Sequence, residues 1–362
     1  MELSKIVERL KSGKDKLDTF LSNAINVDSF FEVAEVIREA FENGDRVIPI
    51  GSGRFIPLEG LDMKPVNISQ IKPTIEIRPE RLTVEVGSTY KVRDLNEELH
   101  QVGMEVQSLR GVIGSSIGAC IACGFSAPLR FPSRLNISLL GLEIIDNKGD
   151  EFFTGRRTLK GVAGYNLNSM YVGSFGLNGV IKSLVIRIEP EKKIVKTLAL
   201  RVGDIDGYIN ALKKLSTLTA FTGSVFISPL LAKLSAYDDN PICYVWLSGS
   251  GEAVKVAEAE LKDMMIGHKG ECTASVIYGG INSVSEGAIV VVCSINNIQR
   301  EAFNEMVDIP FLVRSDGLVE LIVNDESIGM KKVPQNINPH RVYLNCGGRF
   351  LVDGVERFLT VV

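Results

Sequence analysis

The sequence predicts an α+β fold in two domains, and three observations carry that prediction. A helix–strand–glycine-turn unit stands near the start, over residues 29–53. Strands then alternate with one-faced helices as far as residue 190. Beyond Glu189-Pro190-Glu191-Lys192-Lys193, where proline ends a strand and charge takes over, two further rounds of strand–helix–strand appear. The 362 residues suffice for two buried cores.

Residues 1–25 read as a charged amphipathic helix, an N-terminal extension. Ser29-Phe30-Phe31-Glu32 has the spacing of a capping box, Phe30, Val33, Ile37 and Phe41 form the apolar stripe behind it, and Gly44 closes the helix. Residues 46–50 form a short strand that runs into Gly51-Ser52-Gly53. The alternation of Leu82, Val84 and Val86 marks a half-buried strand that stops at Gly87. Val92, Leu95, Leu99 and Val102 share one helical face, with Gly103 as the stop. Strands follow at 139–146 and 180–188, separated by a second glycine-dense stretch, 161–179. In the second half, strands are expected near 197–202, 242–247, 272–278 and 287–294, helices at 252–265 and 297–306 and around Tyr208, Ile209, Leu212 and Leu215, and a hairpin at 311–324.

Composition narrows the function. With 45% hydrophobic and 23% charged residues the chain is neither disordered nor membrane-like, and a net charge of −4 offers no field for nucleic acid or anionic lipid. Apolar runs fall far short of a membrane span, and no signal-peptide core follows Met1. A cytoplasmic location is expected, with the six cysteines as buried thiols. Only three histidines are present, His100, His268 and His340, far apart in sequence, so no metal site is expected.

Two glycine constellations carry the chemistry. In Pro49-Ile50-Gly51-Ser52-Gly53-Arg54, successive amides after a strand can converge on an anion, and the forked donors of Arg54 suit phosphate. Simple chain reversal is the alternative. The segment lacks the Gly-Lys-Ser/Thr of a phosphate loop and the crossover helix of a dinucleotide fingerprint. In the stretch 111–124, Gly114, Ser115, Ser116, Gly118, Ala119, Ala122 and Gly124 are small enough to let backbone lie against a flat ligand, or to let helices pack tightly. Cys120 and Cys123 have dithiol spacing, yet they sit where small residues pack, which favours a structural role.

Taken in order, the Pro-x-Gly-x-Gly at 49–53, Thr83-Val84-Glu85-Val86-Gly87, Ser116-Ile117-Gly118, Lys160-Gly161-Val162-Ala163-Gly164-Tyr165 and Gly173-Ser174-Phe175-Gly176 with Gly179-Val180-Ile181 resemble the FAD-binding domain of the p-cresol methylhydroxylase and vanillyl-alcohol oxidase superfamily. Within it they are most similar to the FAD-binding E-subunit family of bacterial glycolate oxidase. The resemblance covers residues 28–190 well and the second half loosely. It implies a two-subdomain FAD-binding domain at 27–190 after an extension at 1–26, a smaller ferredoxin-like α+β cap domain at 191–330, and a tail at 331–362 that returns to the FAD domain. It further implies that Pro49, Ile50, Gly51, Ser52, Gly53 and Arg54 cradle the FAD pyrophosphate. Gly111, Ile113, Gly114, Ser115, Ser116 and Gly118 would line the pyrophosphate and flavin edge, and Gly179, Val180 and Ile181 would lie near the adenine or ring end. No histidine occurs between residues 1 and 99, so covalent attachment through the first glycine turn is excluded and FAD is expected to be non-covalent.

The function implied is the FAD-binding subunit of a multisubunit glycolate or D-lactate dehydrogenase or oxidase. Its partners would be a catalytic flavoprotein subunit and an iron–sulfur subunit, with membrane contact only through them. The alternatives are a flavin-fold assembly subunit without catalysis of its own, and a stand-alone FAD-dependent dehydrogenase. Oxidising a 2-hydroxyacid needs a base for the hydroxyl proton and a cation for the carboxylate. The His-rich C-terminal run of the catalytic relatives is missing here, so the sequence assigns no catalytic residue. His100 is expected to be partly buried, His268 to lie in an exposed polar turn, and Trp246 to be core.

Overall fold

A computed structural model describes residues 3–109, 114–124, 138–160, 167–234, 242–268, 288–295, 298, 302–306, 309–315, 318–323, 333, 339, 341–346 and 349–353. The chain divides into two compact units. An N-terminal unit comprises Lys5–Ala127, Ser133–Glu191 and Tyr343–Val362, and an inserted unit comprises Lys192–Val342 with Met1–Ser4 and Pro128–Pro132.

The N-terminal unit begins with α1 (Leu3–Ser22), which buries Ile6, Val7, Leu10, Leu17 and Phe20. The helix read as an extension is therefore packed along its apolar stripe. Next come β1 (Ile25–Asn26), α2 (Phe30–Glu42), β2 (Val47–Ile50), β3 (Phe55–Pro57) and β4 (Lys64–Asn67), and β1, β4 and β2 form a small parallel sheet. The capping signal at Ser29 works as read: its side chain accepts from the Glu32 N–H at 3.3 Å. The Glu32 carboxylate reaches back to the Asp28 N–H at 3.1 Å, one residue earlier than a capping box requires. The core face of α2 is Val33, Ala34, Ile37 and Ala40, whereas Phe41 is exposed. The stripe read from the sequence was drawn too far round, because the two alanines fit the closest part of the interface. This core continues to Ile145 and Val180.

Those two residues belong to a five-stranded antiparallel sheet. It is built from β5 (Ile75–Arg78), β6 (Thr83–Gly87), β8 (Leu139–Ile145), β9 (Glu151–Gly155) and β10 (Val180–Arg187), in the order β5-β6-β10-β8-β9. Between them lie α3 (Val92–Gln101), β7 (Met104–Glu105), α4 (Ile117–Cys123) and α5 (Asn168–Tyr171), and β7 pairs with β11 (Glu189–Pro190). Val92, Leu95 and Leu99 of α3 are fully buried as expected, but Val102 caps the helix and is exposed.

The inserted unit starts with β12 (Ile194–Arg201), α6 (Ile205–Leu215), β13 (Phe221–Ile227), α7 (Pro229–Leu234), β14 (Ile242–Gly249), α8 (Gly251–Leu261) and β15 (Met265–His268). It continues with β16 (Ile289–Ser294), α9 (Ala302–Glu305), β17 (Phe311–Arg314) and β18 (Leu318–Val323). The strands lie antiparallel in the order β15-β12-β14-β13-β17-β18-β16. Tyr208 of α6 meets Ser224 of β13 (Oη to Oγ, 3.1 Å), and Lys196 of β12 binds Glu258 of α8 at 2.7 Å, so both helices cover one face of the sheet. The helix expected at 252–265 ends at Leu261, and after one tight turn the chain enters β15 as an edge strand. His268 accordingly ends a strand instead of lying in a turn, and Trp246 is half-buried. The strand expected at 272–278 lies outside the described residues.

The chain returns through β19 (Arg341–Asn345) to β20 (Phe350–Asp353), which runs parallel to β3 with Phe350 opposite Phe55 and Leu351 opposite Ile56. Among the described residues no helix is long and apolar enough to cross a membrane.

Candidate functional site

The end of β2 sets the first wall of a cleft in the N-terminal unit. Buried Ile50 anchors the strand, and the chain turns through Gly51, Ser52 and Gly53 before β3 takes it away. Gly53 has φ +68°, which favours glycine. A Cβ built on Gly51 meets nothing within 4 Å, so that backbone faces open space. Arg54 is half-buried, with its guanidinium 5.5 Å from the centroid of the Phe55 ring, and burial lowers its pKa. Its carbonyl accepts the Phe350 N–H at 2.7 Å, so β20 holds the turn in place.

The second wall is α4. Ser116 caps it by accepting the Ala119 N–H at 3.3 Å, and left-handed Gly124 ends it at φ +67°. The segment just after β6 lies against this helix. Ile117 N–H bonds to Tyr90 O and Gly118 N–H to Ser88 O, both at 2.8 Å. A Cβ on Gly118 would sit 2.6 Å from Ser88 Cβ, so this glycine serves packing, while Gly114 at φ +74° again faces open space. The contact delivers Ser88, Thr89 and Lys91 to the cleft. Ser88 is 2% exposed, yet its hydroxyl has no hydrogen-bond partner among the described residues. On the far side, Phe175 sits at φ +52° with its N–H on Ala122 O at 2.8 Å, and buried Phe175 and Gly176 close the floor.

About 990 Å³ of space, part of it open to solvent, lies between these walls. All six residues Pro49, Ile50, Gly51, Ser52, Gly53 and Arg54 line it. From the second constellation Gly114, Ser115, Ser116, Gly118, Ala119 and Ala122 do so, as do Gly179 and Ile181 of the third. Gly124 and Val180 are not in the lining: the first turns the chain away from α4, and the side chain of the second enters the α2 core. Gly111 and Ile113 lie outside the described residues, as do Gly161 to Tyr165. Sequence reading missed Ser88, Thr89, Lys91, Ile68 and Ser69, and read Cys123 only as packing. For Ser88 and Thr89 a usable signal existed, two hydroxyls placed directly after the strand that stops at Gly87.

The cleft has a distinct electrostatic character. Among the described residues no Asp or Glu lines it, and Arg54 and Lys91 are its cations, neither with a carboxylate partner. Two uncompensated positive charges, an open glycine turn and an orphaned buried hydroxyl suit an anionic ligand with several acceptor oxygens.

Groups suited to catalysis are sparse at the cleft. Cys123 lines it and Cys120 is fully buried; neither is in a disulfide, and burial raises the Cys120 thiol pKa well above its usual range. A thiol so disfavoured as thiolate is a poor nucleophile, in line with packing. His100 was expected to be partly buried; it is exposed, with Nδ1 2.7 Å from a Glu191 carboxylate oxygen on the surface. His340 lies outside the described residues.

Comparison with known proteins relates part of this chain to FAD-binding proteins. A family described as an FAD binding domain matches residues 24–155. The chain is 24% identical over 187 residues to glycolate oxidase subunit GlcD of Bacillus subtilis, covering 48% of this chain and 38% of that protein. It is 26% identical over 181 residues to the mitochondrial D-lactate dehydrogenase [cytochrome] 1 of Saccharomyces cerevisiae, covering 46% and 30% respectively. Against glycolate oxidase subunit GlcE of Escherichia coli it is 28% identical over 141 residues, 39% of this chain and 37% of that one. These matches thus span well under half the length of each relative. In structure, substrate-bound p-cresol methylhydroxylase superposes with a TM-score of 0.63 at 12% identity, over 91% of this chain and 84% of that one, which establishes the shared fold.

Proposed function

We propose that the chain carries an FAD-binding domain of the p-cresol methylhydroxylase and vanillyl-alcohol oxidase superfamily, and that it is the FAD-holding subunit of a multisubunit dehydrogenase or oxidase acting on a small 2-hydroxyacid, glycolate or D-lactate. The family match over residues 24–155 and the shared fold support this reading. The observation that carries the reading is the acid-free, doubly cationic cleft with the buried, unpartnered Ser88 hydroxyl, formed largely by the segment that matches the FAD family.

The residues present fit the cofactor. Amides of Gly51, Ser52 and Gly53 and the open backbone at Gly114 would hold the diphosphate, with Arg54 and Lys91 neutralising its charge. The Ser88 hydroxyl would gain the partner it lacks, which removes the cost of a buried unsatisfied group. Ile50, Ile68, Ile181 and Phe175 offer apolar contact to the cofactor's rings and exclude water from them. When bound, FAD supplies the two-electron acceptor for oxidation of the substrate carbon. The turn Gly51-Ser52-Gly53 has no histidine to bond to the flavin, which supports non-covalent binding.

Similarity to glycolate oxidase subunits and to D-lactate dehydrogenases supports the substrate class and the presence of partner subunits; in our proposal those partners are a catalytic flavoprotein and an iron–sulfur protein. The domain division at 27–190, 191–330 and 331–362 belongs to the same proposal. Purified chain is expected to retain the visible absorbance of FAD after desalting, and to co-purify with two further subunits. Glycolate or D-lactate should bleach that absorbance in the assembled complex. A colourless chain that takes up no added FAD overturns the proposal.

A further inference from the structure

The helix α1 lies outside the segment that matches the FAD family, which begins at residue 24. Within the N-terminal unit it nevertheless reaches the cleft wall. Its last turn sets Leu21 against Gly53, with Leu21 Cδ2 3.2 Å from where a Cβ on that glycine would sit. Leu21 is half-buried and Gly53 is buried. Gly53 lines the cleft and Leu21 does not, so the helix touches the glycine turn from outside the ligand space.

The seating of α1 fixes where Leu21 falls. Gly13, Leu17 and Leu21 follow one another at intervals of four and share one face of the helix. A Cβ on Gly13 would meet Leu58 Cδ1 at 2.5 Å, Leu61 Cδ1 at 3.1 Å and Leu351 Cδ1 at 3.5 Å. Glycine is unfavourable in a helix interior relative to alanine, and this close approach accounts for its presence. Arg9 reaches Glu59 and Asp353, each at 3.5 Å, and Asp18 meets Arg349 at the same distance. Leu58, Glu59 and Leu61 lie in the tight turn that follows β3, and Leu351 and Asp353 lie in β20, which pairs with β3. The helix is thus anchored on the two segments adjoining the strand into which the glycine turn runs.

We infer that α1 braces the turn that holds the FAD diphosphate, Gly13 setting the depth of the helix and Leu21 positioning Gly53. The inference rests on the flavin reading above and adds residues that act on that site from outside its lining. Gly51 faces open space and Gly53 holds φ +68°, so the turn has little packing of its own to keep its amides converged. A loop held in its bound shape before the ligand arrives binds more tightly, because less ordering is left to be done. Leu21 supplies that order at Gly53, as the Phe350 N–H does at the Arg54 carbonyl.

The test compares substitutions at two places on α1 in the full chain. Leu10 is fully buried about 16 Å along the helix from Leu21 and serves as the control. Fluorescence titration gives FAD affinity, and hydrogen exchange of the Ser52, Gly53 and Arg54 amides is followed without FAD. Leu21→Ala should weaken FAD binding about tenfold and speed exchange at those amides. Leu21→Met keeps the contact and should bind within about twofold of the wild type, with the milder truncation Leu21→Val falling between. Leu10→Ala should lower the unfolding midpoint most, yet leave FAD affinity and exchange in the turn close to those of the wild type. Wild-type affinity and exchange in both Leu21→Ala and Leu21→Val overturn the inference. So does a Leu10→Ala chain that loses as much FAD affinity as Leu21→Ala, since α1 would then contribute stability alone. If the wild type takes up no FAD, the flavin reading falls, and faster exchange at residues 52–54 in Leu21→Ala still upholds the brace; unchanged exchange removes both.

Discussion

Glycines in the cleft wall do two different jobs, and single substitutions separate them. Gly51 has ordinary backbone angles and nothing within 4 Å of an added Cβ, so Gly51→Ala fits the fold but fills space that faces the ligand. FAD affinity should fall with the unfolding midpoint unchanged. At Gly118 the same methyl would meet Ser88 Cβ at 2.6 Å and Ser88 O at 2.8 Å. Gly118→Ala should therefore cost roughly 1–3 kcal/mol of stability, as overpacking does, and displace Ser88 from the cleft. Denaturant titration and FAD titration of both variants check the pair; equal stability losses would remove the distinction. Next to Ser88, Tyr90 bonds to Glu98, and burial together with that carboxylate raises its pKa from 10.0 to about 12. A raised pKa means that the folded state holds the proton more tightly. The stabilisation is complete below pH 10, the unfolded value, and disappears as pH rises through 10 towards 12. Denaturation midpoints across that window should fall more steeply for the wild type than for Tyr90→Phe.

Whole elements matter to the cleft through β20. Its pairing with β3 places Phe350 on Phe55, ring centroids 5.4 Å apart and nearly parallel, with Tyr343 edge-on to Phe55 at 6.2 Å. Phe350 is 1% exposed, so Phe350→Ala should cost about 3–5 kcal/mol. Because the Phe350 N–H also holds the Arg54 carbonyl, FAD release should speed up in that variant even where it remains folded, measurable by stopped-flow fluorescence. No local pattern in residues 49–57 announces this support, which comes from a strand some three hundred residues away. The elements that were legible share a different property: their signals are local. The Ser29 cap, the Gly44 and Gly103 stops and the buried positions Val92, Leu95 and Leu99 all follow from residues three or four apart. By contrast β13, Phe-Thr-Gly-Ser-Val-Phe-Ile, shows no clean alternation, since both of its faces are covered or buried, and it went unread. The site divides in the same way. Contiguous small residues at 49–54 and 114–122 were visible, whereas Ser88 and Lys91 reach the cleft only because the end of β6 packs on α4.

Charge makes the cleft an exception within the whole molecule. The chain carries 44 acidic and 40 basic side chains, yet Arg54 and Lys91 face the cleft with no acidic residue among its described lining. FAD brings two negative phosphates to that place, so its uptake should weaken as salt rises. The two cations should respond differently. Lys91 is exposed, and screened surface pairs contribute roughly 0.2–1 kcal/mol, so Lys91→Gln should weaken FAD binding only about two- to fivefold and flatten the salt dependence. Arg54 is half-buried, and that burial partly desolvates its charge and lowers its pKa before any ligand arrives. A charge-assisted hydrogen bond there is worth roughly 1.5–3 kcal/mol, so Arg54→Gln should weaken binding tenfold or more, with most of that loss persisting at high salt. Fluorescence titration of FAD from low to high potassium chloride with the three proteins gives both slopes. Salt-independent binding in the wild type would place the diphosphate away from these cations and assign the cleft to a less charged ligand.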